Sequence, residues 1–153
     1  MTSWPWLAAA FALLVAGLAP AVWGVATGPL RRRVVAQNTA TLVVCLAFLL
    51  LSQGYGRTSY VDLALVLAVV GPAGTLVYAR LLAEDLERDP PRARGTVHVA
   101  VALTVLVVVP LCVAAGPGRA TAKLVVIGAL LVVGNVVASR ALGGRQLKEL
   151  GHG

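Results

Sequence analysis

The stretch "VDLALVLAVVGPAGTLVYAR", residues 61 to 80, decides the fold. No charged residue falls between Asp62 and Arg80. Coiled as an α-helix rising 1.5 Å per residue, the segment separates those two charges by roughly 27 Å, close to the thickness of a bilayer's hydrocarbon core. The same pattern recurs in four other apolar runs, which gives spans at Trp4–Val25, Val34–Leu51, Tyr60–Leu82, Val97–Ala115 and Leu124–Leu142. The chain has 153 residues, of which 59% are hydrophobic and only 12% charged, and its mean hydropathy is +0.88. A water-soluble domain of this size needs far more polar surface. The expected fold is all-α: a polytopic membrane protein of about five transmembrane helices.

Thirteen basic and six acidic residues leave a net charge of +7. In a soluble chain that balance would suggest nucleic acid. Here the basic residues lie in short loops between spans, where they set orientation, and no nucleic-acid partner is expected. Arg31, Arg32, Arg33, Arg80, Arg88, Arg92, Arg94, Arg140, Arg145 and Lys148 fall on one side, and Arg57, Arg119 and Lys123 on the other. The bias predicts an outside N-terminus and a cytoplasmic C-terminus, with Arg31, Arg32, Arg33 and Arg80 as cytoplasmic anchors. The first run lacks a basic residue before it and has three arginines after it, the reverse of a signal peptide, so it reads as a retained helix. Trp4, Trp6 and Trp23 suit its two interfaces. An impermeant thiol reagent should label a cysteine placed near Arg57 or Gly118 on intact cells. It should miss one at Pro91; labelling there would overturn this topology.

Residues 83–95, "AEDLERDPPRARG", form the long polar stretch. Its first part can prolong the third helix, with Arg80–Glu84 and Glu84–Arg88 at helical pairing distance, until Pro90-Pro91 ends it. The chain thus divides into a three-helix unit (1–89), a cytoplasmic connector (90–95) and a two-helix unit with a short basic tail (96–153).

Several polar and small residues within the spans invite a functional reading. Asp62 is an acid at membrane depth, which marks an ion pathway unless it serves only to cap its helix. Asn38 and Asn135 lie inside the second and fifth spans, suited to interhelical hydrogen bonding or to ion coordination. Ala64, Ala68, Gly71 and Thr75 form a small-residue ridge expected to admit a partner subunit's helix, and Ala8, Ala12 and Ala16 form a second. Gly71-Pro72 is expected to loosen or kink the third span. His98, near the interface, could relay protons. Cys45 and Cys112 lie inside apolar runs, as small buried hydrophobes rather than a disulfide or metal pair. The residues form no nucleophile–base pair, metal cluster or phosphate loop, so neither an enzyme nor a cofactor is expected.

The third span carries Asp62, Gly71, Gly74, Thr75 and Arg80 in an order that resembles the F subunit (MrpF, PhaF or MnhF type) of the multisubunit Mrp-type monovalent cation/proton antiporters. Gly28-Pro29-Leu30 followed by Arg32-Arg33-Val34-Val35-Ala36-Gln37-Asn38 is similar to that family's Gly-Pro-Thr turn and Asp-Arg-Val-Val-Ala-Leu-Asp. The resemblance runs over roughly residues 7 to 88. "AKLVVIGALLVVGNVVASRAL", residues 122 to 142, is similar to the last helix of the G subunit, with Asn135 where that helix has proline. Arg94 and His98 faintly echo that subunit's Arg-Leu-His-Ala turn. The resemblance implies an accessory subunit of a sodium or potassium/proton antiporter, in the plasma membrane, with the other antiporter subunits, the lipid bilayer, monovalent cations and protons as partners. Its rival is a structural or regulatory membrane scaffold without direct ion transport. Where the family has acids this chain has Arg32 and Asn38, which leaves Asp62 as the one carboxylate among the spans. On that reasoning Asp62→Asn should lower transport more than Asn38→Ala. Asn38→Asp should move cation affinity or pH dependence towards the family's pattern.

Overall fold

The computed structural model describes residues 4–81 and 94–143, and among these helices joined by short turns are the only regular structure. In chain order the helices are α1 (Trp4–Thr27), α2 (Leu30–Tyr55), α3 (Ser59–Leu81), α4 (Arg94–Ala115) and α5 (Arg119–Gly143). All five are long and apolar enough to cross a membrane. Several run beyond the apolar windows read from sequence, because backbone pairing continues into the headgroup zone where Arg32, Arg33 and Arg119 are solvated. Arg94 and Gly95, assigned to the connector from sequence, begin α4. The pairs Arg80–Glu84 and Glu84–Arg88, the Pro90-Pro91 break and the tail with Arg145 and Lys148 lie outside the described residues.

Turn chemistry explains the ends. Pro29 precedes α2 with φ −59° and ψ 162°, and its carbonyl accepts the Arg33 N–H at 3.1 Å. A proline there sacrifices no helical donor. At the other end Gly56 adopts φ 64°, ψ 25°, and its N–H and that of Arg57 both reach the Ser52 carbonyl. That left-handed cap is cheap only for glycine. Pro20, Pro72 and Pro110 sit inside helices. The expected loosening at Gly71-Pro72 does not interrupt α3, which is helical through both residues.

α2 is the hub and touches the other four helices. Half of its most apolar window is buried, against 17–22% in the others. α1 lies antiparallel along it, through Leu7 over Gly54, Gly17 against Val43 and Gly24 against Ala36. A Cβ on Gly17 would stand 2.7 Å from the Val43 methyls. The second predicted ridge is therefore not the one α1 uses here. Ala8, Ala12 and Ala16 are exposed, while Ala10, Ala21 and Gly24 are buried. α1 is apolar all round, so periodicity could not choose its inner face; the missing side chains of Gly17 and Gly24 do.

The first ridge packs within the chain. Ala64, Ala68 and Thr75 are buried, and a Cβ on Gly71 would meet Thr41 at 2.9 Å. The ridge is packed against this chain's own α2. Small side chains let the backbones approach until the buried Cys45 thiol donates to the Ala64 carbonyl at 3.1 Å. α3 and α5 run parallel, with Pro72 seated on Gly134, and a Cβ on Gly128 of α5 would stand 3.2 Å from Val108 of α4. One buried apolar cluster joins both predicted units, from Leu46 and Leu49 through Ala64 to Leu111 and Ile127. The opposite surfaces expose Phe11, Trp23, Leu106 and Val113, as lipid-facing helices do.

Candidate functional site

The helix crossings bring three polar side chains together. Asn38 on α2 donates from Nδ2 to Oδ1 of Asn135 on α5 at 3.0 Å. Thr75 on α3 stands with its hydroxyl 3.4 Å from Oδ1 of Asn38 and 3.2 Å from the Gly71 carbonyl. Its proton is thus shared between a same-helix carbonyl and the neighbouring amide. Asn135 Nδ2 is buried with no hydrogen-bond partner among the described residues. Turning both amides end for end would keep the Asn38–Asn135 bond and exchange that orphan donor for an orphan acceptor. Either way the network is neutral, and it links α2, α3 and α5. A small void of about 10 Å³, bordered by Asn38, Thr41, Pro72 and Asn135, adjoins it.

The site's depth follows from the register. Asn38, Thr75 and Asn135 each lie five residues from an arginine, Arg33, Arg80 and Arg140 respectively. That places the network about 7–8 Å below the basic end of the bundle. At that end Arg33 donates from Nε to the Gly28 carbonyl at 2.9 Å, which fixes the turn between α1 and α2. Gly28 has no room for a side chain, because the Arg32 stem crosses it with Cδ 2.6 Å from where a Cβ would be. Arg80 is exposed; the side chain of Arg31 lies outside the described residues.

Asp62 sits apart from this network. It is in the first turn of α3, thirteen residues before Thr75, so the two are roughly 20 Å apart along the helix. Its carboxylate pairs with the Lys123 ammonium of α5 at 3.1 Å, with 63% and 55% of the side chains exposed. An exposed pair of this kind contributes about 0.2–1 kcal/mol. The three candidate ion-pathway residues therefore divide: Asn38 and Asn135 meet, and Asp62 is held elsewhere. Thr75 was legible only as part of a ridge, because a threonine in an apolar run signals packing as readily as bonding. Lys123 was legible only as a loop charge. The clue to its partner was a base near a helix N-terminus, where the dipole disfavours it and an acid nearby compensates.

Five apolar helices around a neutral polar contact define a multi-pass membrane protein whose described interior is built for helix association. Residues 32–83, from the third residue of α2 past the end of α3, match the family described as multiple resistance and pH regulation protein F (MrpF / PhaF). The match covers about a third of the chain, and over that stretch the chain is similar to this family. It takes in Asn38, Asp62 and the Ala64–Thr75 ridge, and leaves α1, α4 and α5 outside. No curated protein and no solved structure matches the chain.

Proposed function

We infer that the chain is a non-enzymatic accessory subunit of a monovalent cation (sodium or potassium)/proton antiporter in the plasma membrane. It serves by packing its helices against the subunits that move ions and protons. The observation that carries this reading is the Asn38–Asn135 bond. A position that resembles a family acid is occupied by an amide already engaged by the chain's own fifth helix, so it offers a cation no charge. The G-like reading of the last helix accords with α5 docking on the family-matched segment. A scaffold without a transport role remains the second reading. It is favoured by Asp62, the only acid among the described residues, being paired with Lys123.

Two measurements in vesicles containing every subunit test the inference. Complexes assembled without the chain should lose transport or fail to assemble; unimpaired exchange in its absence would select the scaffold. Asp62→Asn and Lys123→Gln should lower transport alike and by no more than about five-fold, the scale of one exposed ion pair. That outcome would replace the expectation that Asp62 acts as a lone carboxylate. If Asp62→Asn alone were severe while Lys123→Gln were silent, the carboxylate itself would be handling the cation.

A further inference from the structure

A groove of about 360 Å³ opens at the basic end of the bundle, between α1, α2 and α3. Val25, Val34 and Val70 contribute one apolar wall from each helix, Leu67 closes the deep end, and Arg33 and Tyr78 stand at the mouth. From Leu67 to Tyr78 the groove follows α3 for roughly 16 Å. Gln37, Asn38, Thr41 and Thr75 add polar atoms to the walls, but most of the lining surface is apolar and opens beside the hydrocarbon core, so an acyl chain is the natural filling.

The mouth adds charge. Arg33 spends Nε on the Gly28 carbonyl, which holds the guanidinium in place and leaves its two terminal nitrogens as donors. Among the described residues no carboxylate pairs with it, and Asp62, their only acid, lies at the other end of α3. We propose that the groove holds one anionic phospholipid, with its phosphate on the Arg33 guanidinium and one acyl chain lying along α3 as far as Leu67. Planar, doubly donating recognition of phosphate suits arginine. A fixed arginine at headgroup height selects anionic over zwitterionic lipid.

The test uses the full chain in nanodiscs of mixed phosphatidylglycerol and phosphatidylcholine, released into native mass spectrometry. The parent should retain one phosphatidylglycerol with about five-fold preference over phosphatidylcholine, the scale of one arginine near the membrane surface. Arg33→Gln should remove the preference. Because Arg33 also holds the turn, a second variant is needed. Gly74 lines the groove, and a Cβ there meets nothing within 4 Å, so Gly74→Leu fills the slot without straining the fold. It should lower retention of both lipids while the melting midpoint stays put. Equal retention of the two lipids by the parent, or retention unaffected by Gly74→Leu, would overturn the site. So would efficient disulfide capture of another subunit by Gly74→Cys, since the occupant would then be protein.

Discussion

Gly134→Leu is expected to lower the melting midpoint of the purified chain by roughly 5–10 °C. Gly134 is where α5 receives the Pro72 ring of α3, with Pro72 Cβ 3.0 Å from the position a Cβ would take and the ring's outer carbon closer still. A proline ring is tied twice to its own backbone and cannot swing aside as a lysine or methionine would. The helices must therefore move apart, and overpacking of this kind costs about 1–3 kcal/mol. Separation at this level also stretches the Asn38–Asn135 bond one residue away. Gly134→Ala should be intermediate, and Pro72→Ala should rescue part of it by trimming the obstructing ring. Gly74→Leu, on the open face of α3, supplies the contrast and should melt like the parent. A Gly134→Leu chain that melts unchanged would mean that α5 is not seated on Pro72.

Asn38→Leu should destabilise by about 1–3 kcal/mol, the cost of leaving a buried polar group without its partner. The carboxamide of Asn135 would lose the bond to Oδ1 and would then have neither end satisfied. Asn135→Leu should cost a similar amount. The pair of substitutions together should cost much less than the sum, because two leucines replace two amides and neither leaves a stranded dipole. Amide bonds between membrane helices average about 0.6 kcal/mol in net worth, so the penalty of the single variants comes mainly from the orphaned partner. A double-variant cycle by thermal unfolding reads this directly. Strict additivity would show that the two side chains do not bond, and with them would go the argument that Asn38 is occupied from within the chain. Thr75 is less exposed to the loss, since its hydroxyl keeps the Gly71 carbonyl.

Much of the architecture was legible along the chain because a bilayer imposes one-dimensional rules. A span needs a run of apolar residues about as long as the hydrocarbon is thick, and charges must fall at its ends. Asp62 and Arg80 therefore bracketed α3 before any packing was known, and the F-like order of Asp62, Gly71, Gly74, Thr75 and Arg80 already indicated the family later matched over residues 32–83. The same rules set each polar residue's depth, because position along a helix converts into height at a constant rise.

Direction around the helix is another matter. In a span that is apolar on every side, the hydrophobic pattern carries no angular information, so Ala8, Ala12 and Ala16 looked as good a contact as Ala10, Gly17, Ala21 and Gly24. The absence of a Cβ at Gly17 and Gly24, opposite Val43 and Ala36, decided between them. Which helix meets which was equally invisible, because lipid and protein are alike to a leucine and no hydrophobic penalty selects the partner. The sequence by itself thus determined five spans, their charged ends and the heights of Asn38, Thr75, Asn135 and Asp62. Only the tertiary structure decided that Asn38 faces Asn135 across the bundle and that Lys123 answers Asp62, because those pairings depend on how far α5 can approach α3, and Pro72 on Gly134 sets that distance.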